Sequence, residues 1–265
     1  DYAYALAVDA GGNILVAGLT LGSLSGASAG VGDAFVRKYD PEGNELWTRQ
    51  FGTAGKDYAN ALAVDAGGNI LVAGFTFGGL SGASAGERDA FVRKYDPKGN
   101  ELWTRQFGTA EADLAFALAV DAGGNILVAG WTDGSLSGAS AGKEDAFVRK
   151  YDPKGTVLWT RQFGTAEWDT ATSLAVDAGG NILVAGYTEG SLSGASAGKS
   201  DAFVRKYDQN GTVLWTRQFG TAQWDTAHAL AVDAGGNILV AGLTWGSLSG
   251  VSAGSVDAFV IIFKP

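Results

Sequence analysis

Thirteen residues, Leu6-Ala-Val-Asp-Ala-Gly-Gly-Asn-Ile-Leu-Val-Ala-Gly18, recur unchanged from Leu62, Leu118, Leu174 and Leu230, a period of 56 residues. Asp33-Ala-Phe-Val returns at Asp89, Asp145, Asp201 and Asp257, and Leu46-Trp-Thr-Arg-Gln-Phe-Gly-Thr-Ala54 returns from Leu102, Leu158 and Leu214. Units this short cannot bury a core by themselves, so they must stack on their neighbours. The reading is a single domain, 1–265, with repeats 1–56, 57–112, 113–168, 169–224 and 225–265. Five full units would take 280 residues, and the fifth lacks the counterpart of Glu42 to Lys56.

Within a unit, β-branched and aromatic runs alternate with Gly, Asn and Asp clusters, which predicts four short strands and no helix. In the first unit these are Tyr4 to Val8, Ile14 to Thr20, Ala34 to Tyr39 and Glu45 to Phe51, called A to D. Asp9-Ala-Gly-Gly-Asn13 and Asp40-Pro-Glu-Gly-Asn44 close the A/B and C/D hairpins, because Asp bonds back to nearby N–H groups and Gly or Asn accepts positive φ. The 41 glycines, about twice the usual share of about 7%, are thereby assigned to turns.

Four-stranded antiparallel units at this period predict an all-β, five-bladed β-propeller whose fifth blade lacks its outermost strand. Side-chain volume rises from Ala5 and Ala7 on strand A, through Leu15 on B and Phe35 on C, to Trp47 and Phe51 on D, as blades diverging from an axis require. The run from Ala7-Val-Asp9 through Gly12-Asn13 to Val16 and Gly18, the run Asp33-Ala-Phe-Val36 with Lys38, Asp40, Gly43 and Trp47, and Phe51-Gly52 together resemble the bacterial SBBP β-propeller repeat. The resemblance covers nearly the whole chain. It implies the fold, a seven-bladed relative as the norm, and an extracellular or cell-surface setting, without implying an activity. Five near-identical units also suit a recently amplified or designed repeat, or part of a larger ring. The absence of Met suggests an excised or processed segment.

Strand order puts the A/B and C/D turns on one face and the B/C and D/A loops on the other. The A/B turn is identical in all five units, whereas variation collects on the opposite face. After strand B the sequence reads Leu19, Phe75, Trp131, Tyr187 and Leu243, and two residues on, Leu21, Phe77, Asp133, Glu189 and Trp245. In the D/A loop Lys56, Ala112, Trp168 and Trp224 precede the repeated Asp, and Tyr4, Asn60, Phe116, Thr172 and His228 follow within strand A. Large aromatics interleaved with charges suit recognition, so Phe75, Phe77, Trp131, Asp133, Trp168, Tyr187, Glu189, Trp224 and Trp245 form the candidate ligand-binding set. Drift in permissive loops, or packing of the first series between blades, is the competing reading and weighs most on Leu19 and Leu243.

The expected function is a non-enzymatic binding module for a carbohydrate or a protein surface. The alternatives are a ligand-free repeat scaffold and, remotely, a glycoside-processing enzyme. Catalysis wants groups made unequal by their surroundings, and near-identical units give each Asp nearly the same setting. His228 is the only imidazole and there is no thiol. The Asp rings before strand A (Asp1, Asp57, Asp113, Asp169, Asp225) and before strand C (Asp33, Asp89, Asp145, Asp201, Asp257) could meet a hard cation, but their spacing matches no compact calcium loop and they read better as loop fasteners. Neither metal nor cofactor is expected. A net charge of −9 argues against nucleic acid, and no apolar run is long enough for a membrane helix. Arg37, Lys38 and Arg49 read as solvated edge charges, and Ser25-Gly-Ala-Ser28 as a flexible loop. In the fifth unit Arg37-Lys-Tyr is replaced by Ile261, Ile262 and Phe263, an apolar edge expected to be covered by self-association or by an upstream strand, or else to fray.

Overall fold

A computed structural model describes residues 1–250, 252 and 254–264. They form five antiparallel sheets, four of four strands and one of three, in which strands follow chain order, with no helix among the described residues. The first sheet is β1 (Tyr2–Val8), β2 (Ile14–Thr20), β3 (Asp33–Tyr39) and β4 (Glu45–Phe51). The second is β5 (Asp57–Val64), β6 (Ile70–Thr76), β7 (Asp89–Tyr95) and β8 (Glu101–Phe107), and the third is β9 (Asp113–Val120), β10 (Ile126–Thr132), β11 (Asp145–Tyr151) and β12 (Val157–Phe163). The fourth is β13 (Asp169–Val176), β14 (Ile182–Thr188), β15 (Asp201–Tyr207) and β16 (Val213–Phe219); the fifth is β17 (Asp225–Val232), β18 (Ile238–Thr244) and β19 (Asp257–Phe263). The chain divides into two compact units, 1–128 with 151–157, and 129–150 with 158–265.

The hairpin chemistry is as the sequence implies, with one refinement. Asp9 Oδ1 accepts from the Gly11 and Asn13 N–H groups at 2.9 Å each, and Gly12 takes φ +79°. Among the described residues positive φ falls on Gly alone, so Asn13 serves instead as a second clamp, its Nδ2 donating to Asp9 Oδ2 at 2.9 Å. A β-bulge interrupts each strand A whose register is resolved: Ala59 opposes Gly74 and Ala61 opposes Ala73, leaving Asn60 extra. The same bulge falls at Tyr4, Thr172 and His228. A bulge re-aims the side chain it carries. Gly74 makes it possible, because a Cβ there would land on the Tyr58 carbonyl oxygen.

Within the first unit the back of one sheet packs on the front of the next. Leu15, Ala17, Ala34 and Val36 meet Ala59, Leu62, Ile70, Val72, Phe91 and Tyr95. The second unit repeats the arrangement, with Leu183, Ala185, Ala202 and Val204 against Ala227, Ile238, Val240 and Phe259. The outer strands are stitched across the same joints. Arg49 Nε donates to the Gly99 carbonyl at 2.7 Å, and Arg93 lies over the Phe51 ring at 4.1 Å; Arg161 to Gly211 (2.8 Å) and Arg205 over Phe163 (4.1 Å) are their counterparts in the second unit.

These contacts correct the expectation of solvated edge charges. Lys38 is buried and pairs with Asp9 at 2.8 Å, and Lys94 with Asp65 at 2.9 Å, each ammonium tying strand C to the A/B turn. Burial opposes ionisation of Asp9, but bonds from Lys38 and Asn13 outweigh it and lower its pKa to about 2. The serine loop is likewise fastened, as Ser25 N–H donates to Gln50 Oε1 at 3.0 Å and Ser25 Oγ to the Thr48 carbonyl at 3.2 Å.

Gly74→Ala is expected to destabilise the protein by about 2 kcal/mol or more, the range of an overpacked core site, because the strand must retreat from β6 and lose the bulge. Urea denaturation followed by tryptophan fluorescence measures it, and a change within about 0.5 kcal/mol would show that the close approach is dispensable.

Candidate functional site

The aspartates are the fasteners of the variable face. Asp225 Oδ2 accepts from Thr221 N–H at 2.6 Å and Thr221 Oγ1 at 2.8 Å, curling the D/A loop back on itself. Asp225 N–H donates to the Ser200 carbonyl at 2.9 Å, and Ser200 and Trp224 form an isolated parallel bridge. The Trp245 N–H then donates to the Trp224 carbonyl at 2.9 Å. Three loops distant in sequence are thereby pinned side by side. Gly220 sits at the centre of this junction: a Cβ there would crowd a carboxylate oxygen of both Asp201 and Asp225.

Bringing two carboxylates to one glycine has an electrostatic consequence. Asp169, fully buried, has its pKa raised, first by burial and also by the facing charge of Asp145, against the lowering effect of bonds from Thr188 and Thr165. Asp57 is raised in the same way, with Asp33 opposite. Among the described residues no group of three or more His, Cys, Asp or Glu side chains gathers to hold a metal ion.

Above these fasteners in the second unit lies a groove of about 470 Å³, lined by Tyr187, Glu189, Ser200, Trp224, Thr226, His228 and Trp245. Trp224 and Trp245 meet edge to face, with centroids 5.3 Å apart and planes at 66°, and Lys199 Nζ lies 4.0 Å from the Trp224 ring centre. His228 stands on the β17 bulge, and its Nε2 is 2.9 Å from Thr226 Oγ1. Glu189 is half-buried, and its pKa is raised, chiefly by burial, with Lys143 opposing and Glu167 and Asp169 adding to the shift. The wall is therefore largely aromatic, with the Glu189 carboxyl, the His228 imidazole and the Thr226 hydroxyl around one space.

Of the nine residues expected from sequence, Tyr187, Glu189, Trp224 and Trp245 line this groove together. Trp168 occupies the corresponding D/A position one repeat earlier, with Lys143 Nζ 4.0 Å from its ring centre and Lys143 paired to Glu167 at 2.7 Å. Trp131 is half-buried and Asp133 exposed, and neither lines the groove. In the first unit Phe75 is buried, stacked on Tyr58 at 4.4 Å, and Phe77 is exposed beneath Arg88 at 5.1 Å. Tyr58 continues this row through Tyr4 and Tyr2, at 6.3 and 6.2 Å. Leu19 is buried as a packing residue, whereas Leu243 is exposed. The candidate set left out Ser200, Thr226 and His228, which line the groove, and Tyr58, which stacks on Phe75. The signal available was their place beside the bulge and the repeated Asp, where the units also differ.

Repeated antiparallel sheets stacked front to back, with one uniform loop face and one varied one, define a propeller-type repeat protein. The β-propeller repeat called SBBP matches residues 46–79, 102–136, 158–192 and 214–248, each match running from an outer strand through the next sheet's first two. The chain belongs to the SBBP β-propeller repeat family. It is 29% identical over 273 residues to regulatory protein FlaEY of Caulobacter vibrioides, covering 87% of this chain and 28% of that protein. It is 24% identical over 228 residues to a WD repeat-containing protein of Acanthamoeba polyphaga mimivirus, covering 66% of this chain and 16% of that one. The chain thus spans less than a third of either relative. Among solved structures it resembles a Bacteroides caccae protein of unknown function (TM-score 0.54, 18% identity, 90% of this chain and 69% of that one). It also resembles a gluconolactonase from Xanthomonas campestris (TM-score 0.50, 16% identity, 89% and 68%). At these identities the two structures speak for the fold alone.

Asp169→Asn tests the fastener electrostatics. A carboxyl whose folded pKa is raised contributes stability that is full below its unfolded value, near 3.8, and is lost as pH rises through the folded value. The variant keeps an oxygen acceptor for Thr165 and removes the repelling charge. Denaturation at pH 3.5 and pH 7 is expected to show the variant gaining on the wild type at the higher pH; an unchanged difference would mean that burial and the neighbouring charge do not raise the Asp169 carboxyl in the folded protein.

Proposed function

We propose that the chain is a non-enzymatic recognition module that binds a carbohydrate in the Tyr187, Glu189, Trp224, His228 and Trp245 groove, carried on a five-bladed propeller frame whose fifth blade lacks its outermost strand. The observation that carries the proposal is the convergence of two Trp rings, a carboxyl group and an imidazole on one cavity of about 470 Å³. That volume is within the range of small-molecule sites, roughly 300–1,000 Å³. A protein partner would need roughly 800 Å² of surface on each side, much more than this groove offers. Sugar rings present C–H faces that pack on Trp and hydroxyls that bond to carboxylate and imidazole, so the wall chemistry matches both aspects of such a ligand. The fold of the repeat family supports a binding or scaffold role, and five sheets of the same design supply the frame. Binding at the bacterial surface or outside the cell, to neither nucleic acid nor membrane, is part of the same proposal.

His228 is hydrogen-bonded to Thr226 rather than to a carboxylate that would orient it as a base, which favours binding over turnover. The near-identity of the repeats favours a second reading, a scaffold with no ligand.

Glycan-array screening of the wild type followed by calorimetry on the strongest hit is expected to give saturable 1:1 binding. Trp224→Ala should weaken it at least about tenfold, as a buried aromatic anchor does, with little change in Tm because Trp224 is 38% exposed. Affinity surviving Trp224→Ala and Trp245→Ala together would overturn the site, and a silent array would favour the scaffold. Hydrolysis of a glycoside or lactone that disappears in Glu189→Gln would overturn the non-enzymatic part.

A further inference from the structure

Arg37 and Arg93 occupy one position of the repeat, and each is answered by an acid at the start of the outer strand. Arg37 Nε lies 3.5 Å from Glu45 Oε2, and Arg93 Nη1 lies 3.5 Å from Glu101 Oε2. In the fourth sheet the arginine is kept as Arg205, but the acid becomes Val213, opposite Tyr207 as Glu101 is opposite Tyr95. Arg205 Nε still donates to Thr216 Oγ1 at 2.8 Å, as Arg93 Nε does to Thr104 Oγ1 at 2.7 Å. Among the described residues, however, no carboxylate pairs with Arg205, which is half-buried. A guanidinium partly withdrawn from water without a counter-ion is costly, and an anion from solution relieves that cost.

The surroundings are otherwise those of the first compact unit, where Arg49, Phe51, Arg93, Tyr95 and Glu101 line a cavity of about 350 Å³. Arg93 lies over Phe51 at 4.1 Å, and the Phe51 and Tyr95 rings are 6.3 Å apart; Arg205 over Phe163 and Phe163 beside Tyr207 repeat both spacings. Arg161 is fixed by the adjoining C/D turn, donating to the Gly211 carbonyl at 2.8 Å and the Asn210 carbonyl at 3.2 Å. Both guanidiniums come close to the Tyr207 hydroxyl. Tyr207 is buried, its Oη lacks a hydrogen bond of good geometry, and its pKa is raised by burial with Arg205 and Arg161 opposing. The Tyr95 hydroxyl senses Glu101 in addition to its two arginines, whereas Tyr207 senses no carboxylate. Asp208, the acid of the C/D turn, is engaged by the Asn210 and Thr212 N–H groups at 2.9 and 2.8 Å.

We propose that Arg205 and Arg161 form a binding site for a tetrahedral oxyanion, a phosphate or sulfate group, which takes the place of the carboxylate that Glu101 supplies in the second sheet. A guanidinium presents two parallel N–H donors that match two oxygens of such a group. The Tyr207 hydroxyl adds a donor from the buried side. The net charge of −9 is spread over the whole chain, and salt screens it beyond about 8 Å, so the two nearby guanidiniums set the local field. The site adjoins the C/D turn and shares no residue with the Trp224 groove.

The test is calorimetric titration of the 265-residue protein with inorganic phosphate at low chloride, expected to show one saturable site. Val213→Glu should weaken binding at least about tenfold, because the acid found in the first two sheets then occupies the site. Val213→Gln, similar in shape but uncharged, should stay within about threefold of the wild type, which separates charge from bulk. Val213 is 47% exposed and Glu stands at this position in two sister sheets, so both variants suit the fold. Glu101→Val is expected to raise the stoichiometry to two by freeing Arg93. Inorganic sulfate should compete with phosphate; glucose 6-phosphate binding more tightly than phosphate assigns the site to an ester, and weaker binding assigns it to the free ion. An absence of saturable binding, or equal affinity in the wild type and Val213→Glu, would overturn the proposal. Glycan binding is read separately and should persist in Val213→Glu, so either proposal can fail without the other.

Discussion

Within each compact unit the sheets turn apolar faces to one another, and no sheet can bury both faces by itself. Stacking the back of one on the front of the next is the constraint from which the rest follows. Its weight is visible in one residue type in one sequence context: Leu62, packed against the preceding sheet, is 9% exposed, whereas Leu6 is 68% exposed. At roughly 25 cal/mol per Å², burying a leucine is worth on the order of 2 kcal/mol, and each joint buries about ten apolar side chains at once. Joints of this kind add along the chain as nearest-neighbour terms, the energetic signature of repeat proteins.

The same joints locate the proposed binding surface. Asp225, Ser200 and Thr221 lock the D/A loop to its neighbours, and the lock frees the adjacent positions from any structural duty. The side chains of Trp224, Trp245 and His228 project from that frame, while the Trp224 and Trp245 main chains belong to it. An almost invariant scaffold can thus carry a different decoration at each junction: a tyrosine and phenylalanine row around Tyr58 in the first unit, and paired tryptophans with a carboxyl and an imidazole in the second. Rigid mounting matters for recognition, because preorganised rings lose little entropy on binding.

Much of this was legible in the residues. The strands Ile14–Thr20 and Glu45–Phe51 fall where the β-branched and aromatic runs placed them, and the Asp-Gly turns behave as their chemistry requires. The variable aromatics were legible as a set, yet only Tyr187, Glu189, Trp224 and Trp245 share a groove, while Phe75 is buried against Tyr58. The edge reading of Lys38 and Arg49 failed because their partners, the Asp9 turn across the sheet and the Gly99 carbonyl of the next sheet, lie outside any local pattern.

What the residue string determined by itself was periodic and local: the 56-residue repeat, the strand lengths, the turns, and the three-stranded fifth sheet, each encoded by neighbours within a few positions of one another. What only the tertiary structure decided were contacts between residues well outside each other's local sequence. These are the bulge that turns His228 into the groove, the burial of Asp169 beside Asp145 that raises its carboxyl, and the glutamine fork that fastens each B/C loop to its outer strand. The physical reason is the same in each case. A hydrogen bond or a desolvated charge depends on atoms brought within about 3 Å, and residues some 20 to 50 positions apart reach that distance only after the sheets have stacked.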